Sequence, residues 1–176
     1  LVVGNTDVTA NVAGGYAGIG NQYASGAAGA SIVTGNVKFT VTASNGNVNG
    51  LGSHSNVNMT TKDVILDLTY HYPTGNSSNG GSIYGVLAGS TVDSGELATY
   101  NGKYTTITTN ALNITQTATG GTINAILNNG IRAIQGANQN SGKGSAGQVI
   151  VNGILDMKLT GNRSIGIYVS GNSTNT

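Results

Sequence analysis

Along most of this chain apolar and polar residues alternate with a period of two, and glycine and asparagine punctuate the alternation. Successive side chains of an extended strand point to opposite sides, whereas a helix returns its apolar residues at every third or fourth position. The helical spacing is nearly absent. Residues 63–72 show the strand pattern best: Val64, Leu66, Leu68 and Tyr70 are expected on a buried face, with Asp63, Asp67, Thr69 and His71 on the other. Pro73 and the polar, glycine-rich run 74–81 then end the strand. The class is all-β, and 176 residues predict a single body of ordinary domain size.

Two topologies compete. An antiparallel β-sandwich, immunoglobulin-like or jelly-roll-like, needs tight hairpins, and a parallel β-helix needs broad turns and a recurring period. Asn-Gly between alternating segments is the strongest short-range hairpin signal, because a type I′ turn requires positive φ at both central residues. Three hairpins are expected on that signal: 96–100 with 103–109 around Asn101-Gly102, 148–151 with 154–159 around Asn152-Gly153, and 125–127 with 131–135 around Asn128-Asn129-Gly130. Further strands are expected at 31–42, 57–60, 63–72, 81–87, 111–117 and 164–170. The antiparallel sandwich is therefore the expected fold and the parallel β-helix the alternative. Phrases of the form Gly-x-Ile at 81–86 and 121–126 favour the alternative, but their spacing is irregular where a solenoid should show a fixed period.

The amino-terminal end has its own character. Val2, Gly4, Thr6, Val8, Ala10 and Val12 fall on one side of a strand over 1–12, with Asn5, Asp7, Thr9 and Asn11 opposite. Two Gly/Ala-rich stretches, 13–20 and 24–30, follow as connectors. Residues 1–20 are expected to protrude as a donor strand with its linker, and 21–176 to form the sandwich body, since a tethered apolar strand can fill a groove in a neighbouring subunit. The chain begins at Leu1 rather than Met, as expected of a mature product whose leader has been removed.

Charge narrows the function classes. Only 7% of residues are charged, seven basic and six acidic, for a net charge of +1, against roughly 25% charged residues in an ordinary domain. Binding to nucleic-acid phosphates needs a basic surface that is missing here. No apolar run is long enough to span a bilayer, and without cysteine there is neither a disulfide nor a thiolate metal site. Asp63, Asp67 and His71 share a strand face but spread over roughly 26 Å at about 3.3 Å per residue, too far for one metal ion or an acid–base pair. His54 has no acidic neighbour in sequence, and Gly142-Lys143-Gly144-Ser145 lacks the spacing and the helix of a phosphate loop. No catalytic residue, metal or cofactor is expected, and the chain is not expected to be an enzyme. The threonine row Thr115, Thr117 and Thr119 would suit a carbohydrate-active or ice-binding β protein, although a single row also follows from β-propensity. Five Asn-x-Ser/Thr sequons, at Asn58, Asn76, Asn113, Asn162 and Asn172, are the expected acceptors in a host that glycosylates this motif.

The composition, rich in Asn, Thr, Ser and Gly and poor in charge, resembles that of secreted surface proteins of thermoacidophilic archaea. With the apolar strand 1–12 and a sandwich body, the chain resembles the subunits of archaeal thread-type filaments and bundling pili. That resemblance implies an extracellular, cell-surface filament polymerising head-to-tail by donor-strand complementation, with Val2, Gly4, Thr6, Val8, Ala10 and Val12 binding the next subunit. It implies further partners in N-glycans and cell-surface receptors, and a role in adhesion and biofilm contact. The Gly-x-Ile phrases instead resemble the β-helical passengers of bacterial autotransporters, which implies an adhesin of a different architecture.

Acid unfolding acts through carboxylates that must be protonated and through the repulsion of unbalanced cations. With six carboxylates in 176 residues, melting temperatures at pH 2 and pH 7 are expected to agree closely. A collapse in acid, measured by circular dichroism, would show that a few carboxylates carry the fold.

Overall fold

The structure, a computed structural model, describes residues 1–21, 30–44, 46–53, 57–72, 81–89, 104–120, 127–135, 146–161 and 163–171. The chain winds through five coils of three strands each. The first coil holds β1 (Val2–Val3), β2 (Thr6–Val12) and β3 (Tyr16–Asn21); the second holds β4 (Ala30–Thr34), β5 (Val37–Ala43) and β6 (Val48–Ser53). The third holds β7 (Val57–Thr60), β8 (Val64–Tyr72) and β9 (Ser82–Ala88), and the fourth β10 (Tyr104–Thr109), β11 (Leu112–Gly120) and β12 (Leu127–Gln135). The last holds β13 (Ala146–Val151), β14 (Leu155–Thr160) and β15 (Ser164–Gly171). Each strand pairs with the strand one coil away, so three five-stranded sheets form, in the orders β1-β4-β7-β10-β13, β14-β11-β8-β5-β2 and β15-β12-β9-β6-β3.

Every pairing among these strands is parallel. The fold is a three-sided parallel β-helix, and the expected antiparallel sandwich with its protruding donor strand is corrected on this point. Asn152-Gly153 is not a hairpin turn but a corner that passes the chain from β13 in one sheet to β14 in another. Gly153 does not take the positive φ that a type I′ turn demands. Its Cβ would stand 3.0 Å from the Asn110 carbonyl of the corner before it, so close stacking explains the glycine there. Asn128-Asn129-Gly130 lies inside a single strand, β12. Of the hairpin expected around Asn101-Gly102, Tyr104–Thr109 is β10, and residues 90–103 lie outside the described residues. The expected strand over 31–42 is likewise two strands, β4 and β5, parted by Gly35-Asn36, just as Gly4-Asn5 parts 1–12 into β1 and β2.

The core lies between the sheets. From the second sheet, columns of side chains face inward in register: Val37, Val64 and Leu112; Phe39, Leu66, Ile114 and Met157; Val41 and Leu68. All but Met157 are buried, and Met157 packs against them. The alternation expected over Val64, Leu66, Leu68 and Tyr70 is the one observed: all four are buried, while Asp63, Asp67 and His71 are exposed. Gln116 replaces the apolar residue in one column and is fully buried. In the orientation its neighbours require, its Nε2 donates to Asn128 Oδ1 at 3.1 Å and its Oε1 accepts from the Gly85 N–H at 2.7 Å. Asn128 in turn donates to the Thr160 carbonyl at 3.1 Å, so this polar pair ties the second sheet to the third. Among the described residues no helix is long and apolar enough to cross a membrane.

The third sheet carries a column with no side chains. Its register runs through Ala17↔Asn49 and resumes at Ile19↔Leu51, which puts Gly18 over Gly50; Gly85, Gly130 and Gly166 continue the column coil by coil. Alternation breaks here, because the residues after these glycines, Leu51, Val86 and Ile131, also join the core. A Cβ on Gly50 would sit 2.7 Å from both the Gly85 carbonyl oxygen and Leu66 Cδ1. One on Gly85 would sit 2.6 Å from the Gly130 oxygen and 2.9 Å from Ile114 Cδ1. Phe39 presses on Gly18 in the same manner. The large inward column of the second sheet thus fills the space left empty by the glycine column of the third.

This contact grades the cost of substitution. Gly50→Ala is expected to destabilise by about 1–3 kcal/mol or more, because a backbone oxygen cannot step aside. Gly130→Ala should cost less, since the flexible Met157 is one of its two close neighbours, and Gly166→Ala least, its nearest neighbour being Met157 Cε at 3.5 Å. Denaturant midpoints of the three variants check the order.

Candidate functional site

The corner between the first and second sheets is the shortest and most regular of the three, with only two or three residues between strands in every coil. A ladder of amide and carboxylate groups runs along it. Asn5 Oδ1 accepts the backbone N–H of Asn36 at 2.9 Å, and Asn36 Oδ1 that of Asp63 at 3.4 Å. Asp63 Oδ1 accepts both Asn110 Nδ2 at 2.6 Å and the Ala111 N–H at 3.2 Å. A backbone N–H can only donate, so each Asn must turn its oxygen toward the next coil and its Nδ2 away. Main-chain bonds accompany the ladder, from Thr6 N to Asn36 O at 2.8 Å and from Val37 N to Asp63 O at 2.9 Å. The corner therefore meets the demand of turning chain for hydrogen-bond partners without inserted residues.

Beside this ladder, on the outer side of the second sheet, Asp7, Lys38 and Ile65 stand on successive coils. Lys38 Nζ lies 3.9 Å from Asp7 Oδ2, an exposed ion pair worth little to stability. Ladder and column enclose a groove of about 390 Å³ whose walls include Asn5, Asn36 and Asp63 on one side and Asp7, Lys38 and Ile65 on the other. Ile65 is 46% exposed and supplies apolar surface to it.

Farther along the same face, threonines gather. Asn11, Thr42, Thr69, Thr117 and Thr160 occupy one register position on five successive coils, and Thr9, Thr40, Asp67, Thr115 and Lys158 another. The row expected from Thr115, Thr117 and Thr119 along β11 is thus crossed by rows that run from coil to coil. Thr119 Oγ1 also lies 2.6 Å from His71 Nδ1.

The structure places the residues expected to bind a neighbouring subunit within their own coil. Thr6, Val8, Ala10 and Val12 stand opposite Val37, Phe39, Val41 and Ala43, half-buried, with Val8, Ala10 and Val12 packed against the core. Val2 is 81% exposed, and Gly4 sits at the corner with nothing near its Cβ position. The strand over 1–12, expected to protrude, is instead β1 and β2, paired to β4 and β5. Of the sequons, Asn58 and Asn113 are exposed on β7 and β11; Asn76, Asn162 and Asn172 lie outside the described residues, as do His54 and Gly142–Ser145. Asp67 and His71 lie apart along β8, with Asp63 at the corner before it, and among the described residues no three His, Cys, Asp or Glu side chains gather to hold a metal. Sequence reasoning passed over Asn5, Asn36, Asp63 and Asn110 as a set. Their common position just ahead of an alternating segment was the available signal.

Asp63 is the ladder's most heavily used acceptor. Asp63→Ala leaves Asn110 Nδ2 and the Ala111 N–H without it and is expected to cost about 1–3 kcal/mol, whereas Asp63→Asn, which keeps an acceptor oxygen, should cost less. Urea midpoints of the two variants measure the difference.

No protein-family model, curated protein or solved structure matches this chain, so its functional reading rests on the fold and on these surfaces.

Proposed function

We propose that this chain is a segment of the β-helical passenger of a bacterial autotransporter adhesin, displayed outside the cell and serving contact with other surfaces. The observation that carries the reading is the stack of five coils with three sheets in continuous parallel register. A solenoid of this kind presents long, regular outer faces on a packed interior, which suits extended binding rather than an enclosed reaction centre. The outer faces fit that use. On the second sheet they carry mostly threonine, asparagine and a few opposite charges, groups that form hydrogen bonds over a wide range of pH. The low charge and absence of cysteine suit a surface protein that depends on neither ionic strength nor disulfide oxidation.

The test is display. Residues 1–176 fused to an autotransporter translocation unit on a non-adherent bacterium should become accessible to protease on intact cells. Attachment to epithelial or matrix-coated surfaces should rise by about threefold or more over cells bearing the unit alone, many displayed copies adding avidity. Efficient display with no gain in attachment would overturn the adhesive reading.

A further inference from the structure

We propose that the groove along the corner between the first and second sheets binds a short neutral oligosaccharide lying parallel to the coil axis. The proposal rests on the adhesive reading and names what that surface would hold.

The ladder itself determines which groups are left for a ligand. Asn5 and Asn36 spend their side-chain oxygens on the next coil, and among the described residues no bond is made by their Nδ2 amides. Asp63 spends Oδ1 on two donors, and its second oxygen has no partner among the described residues. The ladder wall thus offers donors from two successive coils and then an acceptor, repeating at the roughly 4.8 Å separation of neighbouring strands. The opposite wall offers the Asp7 carboxylate, the Lys38 ammonium and the half-exposed Ile65.

A sugar ring matches this set. Its hydroxyls both donate and accept, which suits amides facing carboxylates, and its C–H face needs apolar surface such as Ile65 provides. Successive rings of a linear chain present these features repeatedly, as the coils do. Two carboxylates against one ammonium leave no positive excess, so a phosphate, sulfate or uronate is disfavoured. The volume of about 390 Å³ lies within the range of about 300–1,000 Å³ usual for small-ligand sites.

Titration calorimetry on the 176-residue chain, with cellotriose, maltotriose and chitotriose as neutral probes and trigalacturonate as the anionic one, tests the assignment. At least one neutral probe is expected to bind saturably with one site per chain. Ile65→Arg, which fills the groove from an exposed position, and Asp7→Ala, which removes an acceptor, should each weaken it, the first by about tenfold or more. Asn58→Ala, exposed on the first sheet, should leave it unchanged. Melting curves confirm that each variant is folded, and either groove variant suffices if the other is not. Absence of saturable binding by all three neutral probes, preference for trigalacturonate, or binding indifferent to the folded groove variants would overturn the proposal. Because this measurement uses purified protein, a chain that promotes attachment when displayed but fails here keeps the adhesive reading and loses the groove. A chain that binds a neutral probe but gives no attachment keeps the groove and loses the adhesive role.

Discussion

The fold depends on one steric fit, the large inward column of the second sheet against the glycine column of the third. Phe39, Leu66, Ile114 and Met157 reach across the interior to Gly18, Gly50, Gly85 and Gly130. A side chain at any of the first three glycines would meet both a backbone oxygen of the next coil and the apolar group that already fills the space. Interiors pack to nearly crystalline density, so such a collision has little room to relax. None of these glycines is needed for a left-handed backbone, because the positive-φ glycines among the described residues are Gly46, Gly89, Gly120 and Gly161. Their role is to bring two walls close together, and that closeness lets a chain with no tryptophan and a single phenylalanine close a core built mainly from Val, Ile and Leu, with Phe39, Met59 and Tyr70 as its large members.

A second constraint sits at the corners. The corner between the first and second sheets is held to two or three residues in every coil by main-chain bonds and by the ladder through Asn5, Asn36, Asp63 and Asn110. The other two corners vary in length. Between β5 and β6 the chain turns in four residues with Gly46 at φ 74°, whereas longer stretches separate β9 from β10 and β12 from β13. Length added at a corner leaves the pairing of the strands intact, so the coils stay in register while the sequence interval between them changes.

These constraints bear on function through the surface they leave exposed. The tight corner fixes the outer residues of the second sheet relative to the ladder, so Asp7, Lys38 and Ile65 stand in line beside it without help from a loop. Threonine rows continue the same face toward its other edge. A binding surface carried on paired strands holds its geometry more closely than one carried on loops. The exposed charges contribute pattern rather than strength, since the Asp7–Lys38 pair is open to solvent.

Sequence by itself determined the class and much of the inside–outside pattern. The period-two alternation over 63–72 placed Val64, Leu66, Leu68 and Tyr70 in the core, because strand geometry leaves no other arrangement for it. The scarcity of charge was equally plain. Direction of pairing was not legible, since an alternating strand looks the same whether its partner runs beside or against it, and Asn-Gly serves a solenoid corner as well as a hairpin. The expectation of a fixed period misled for a physical reason: insertions at two corners spread the glycine column over positions 18, 50, 85, 130 and 166 and hid the repeat. Only the tertiary structure decided that these glycines stack, that Asn5, Asn36 and Asp63 form one ladder, and that a groove runs beside them. Each of those facts is a contact between residues a full coil apart, and such contacts exist only once the coils have closed on a common core.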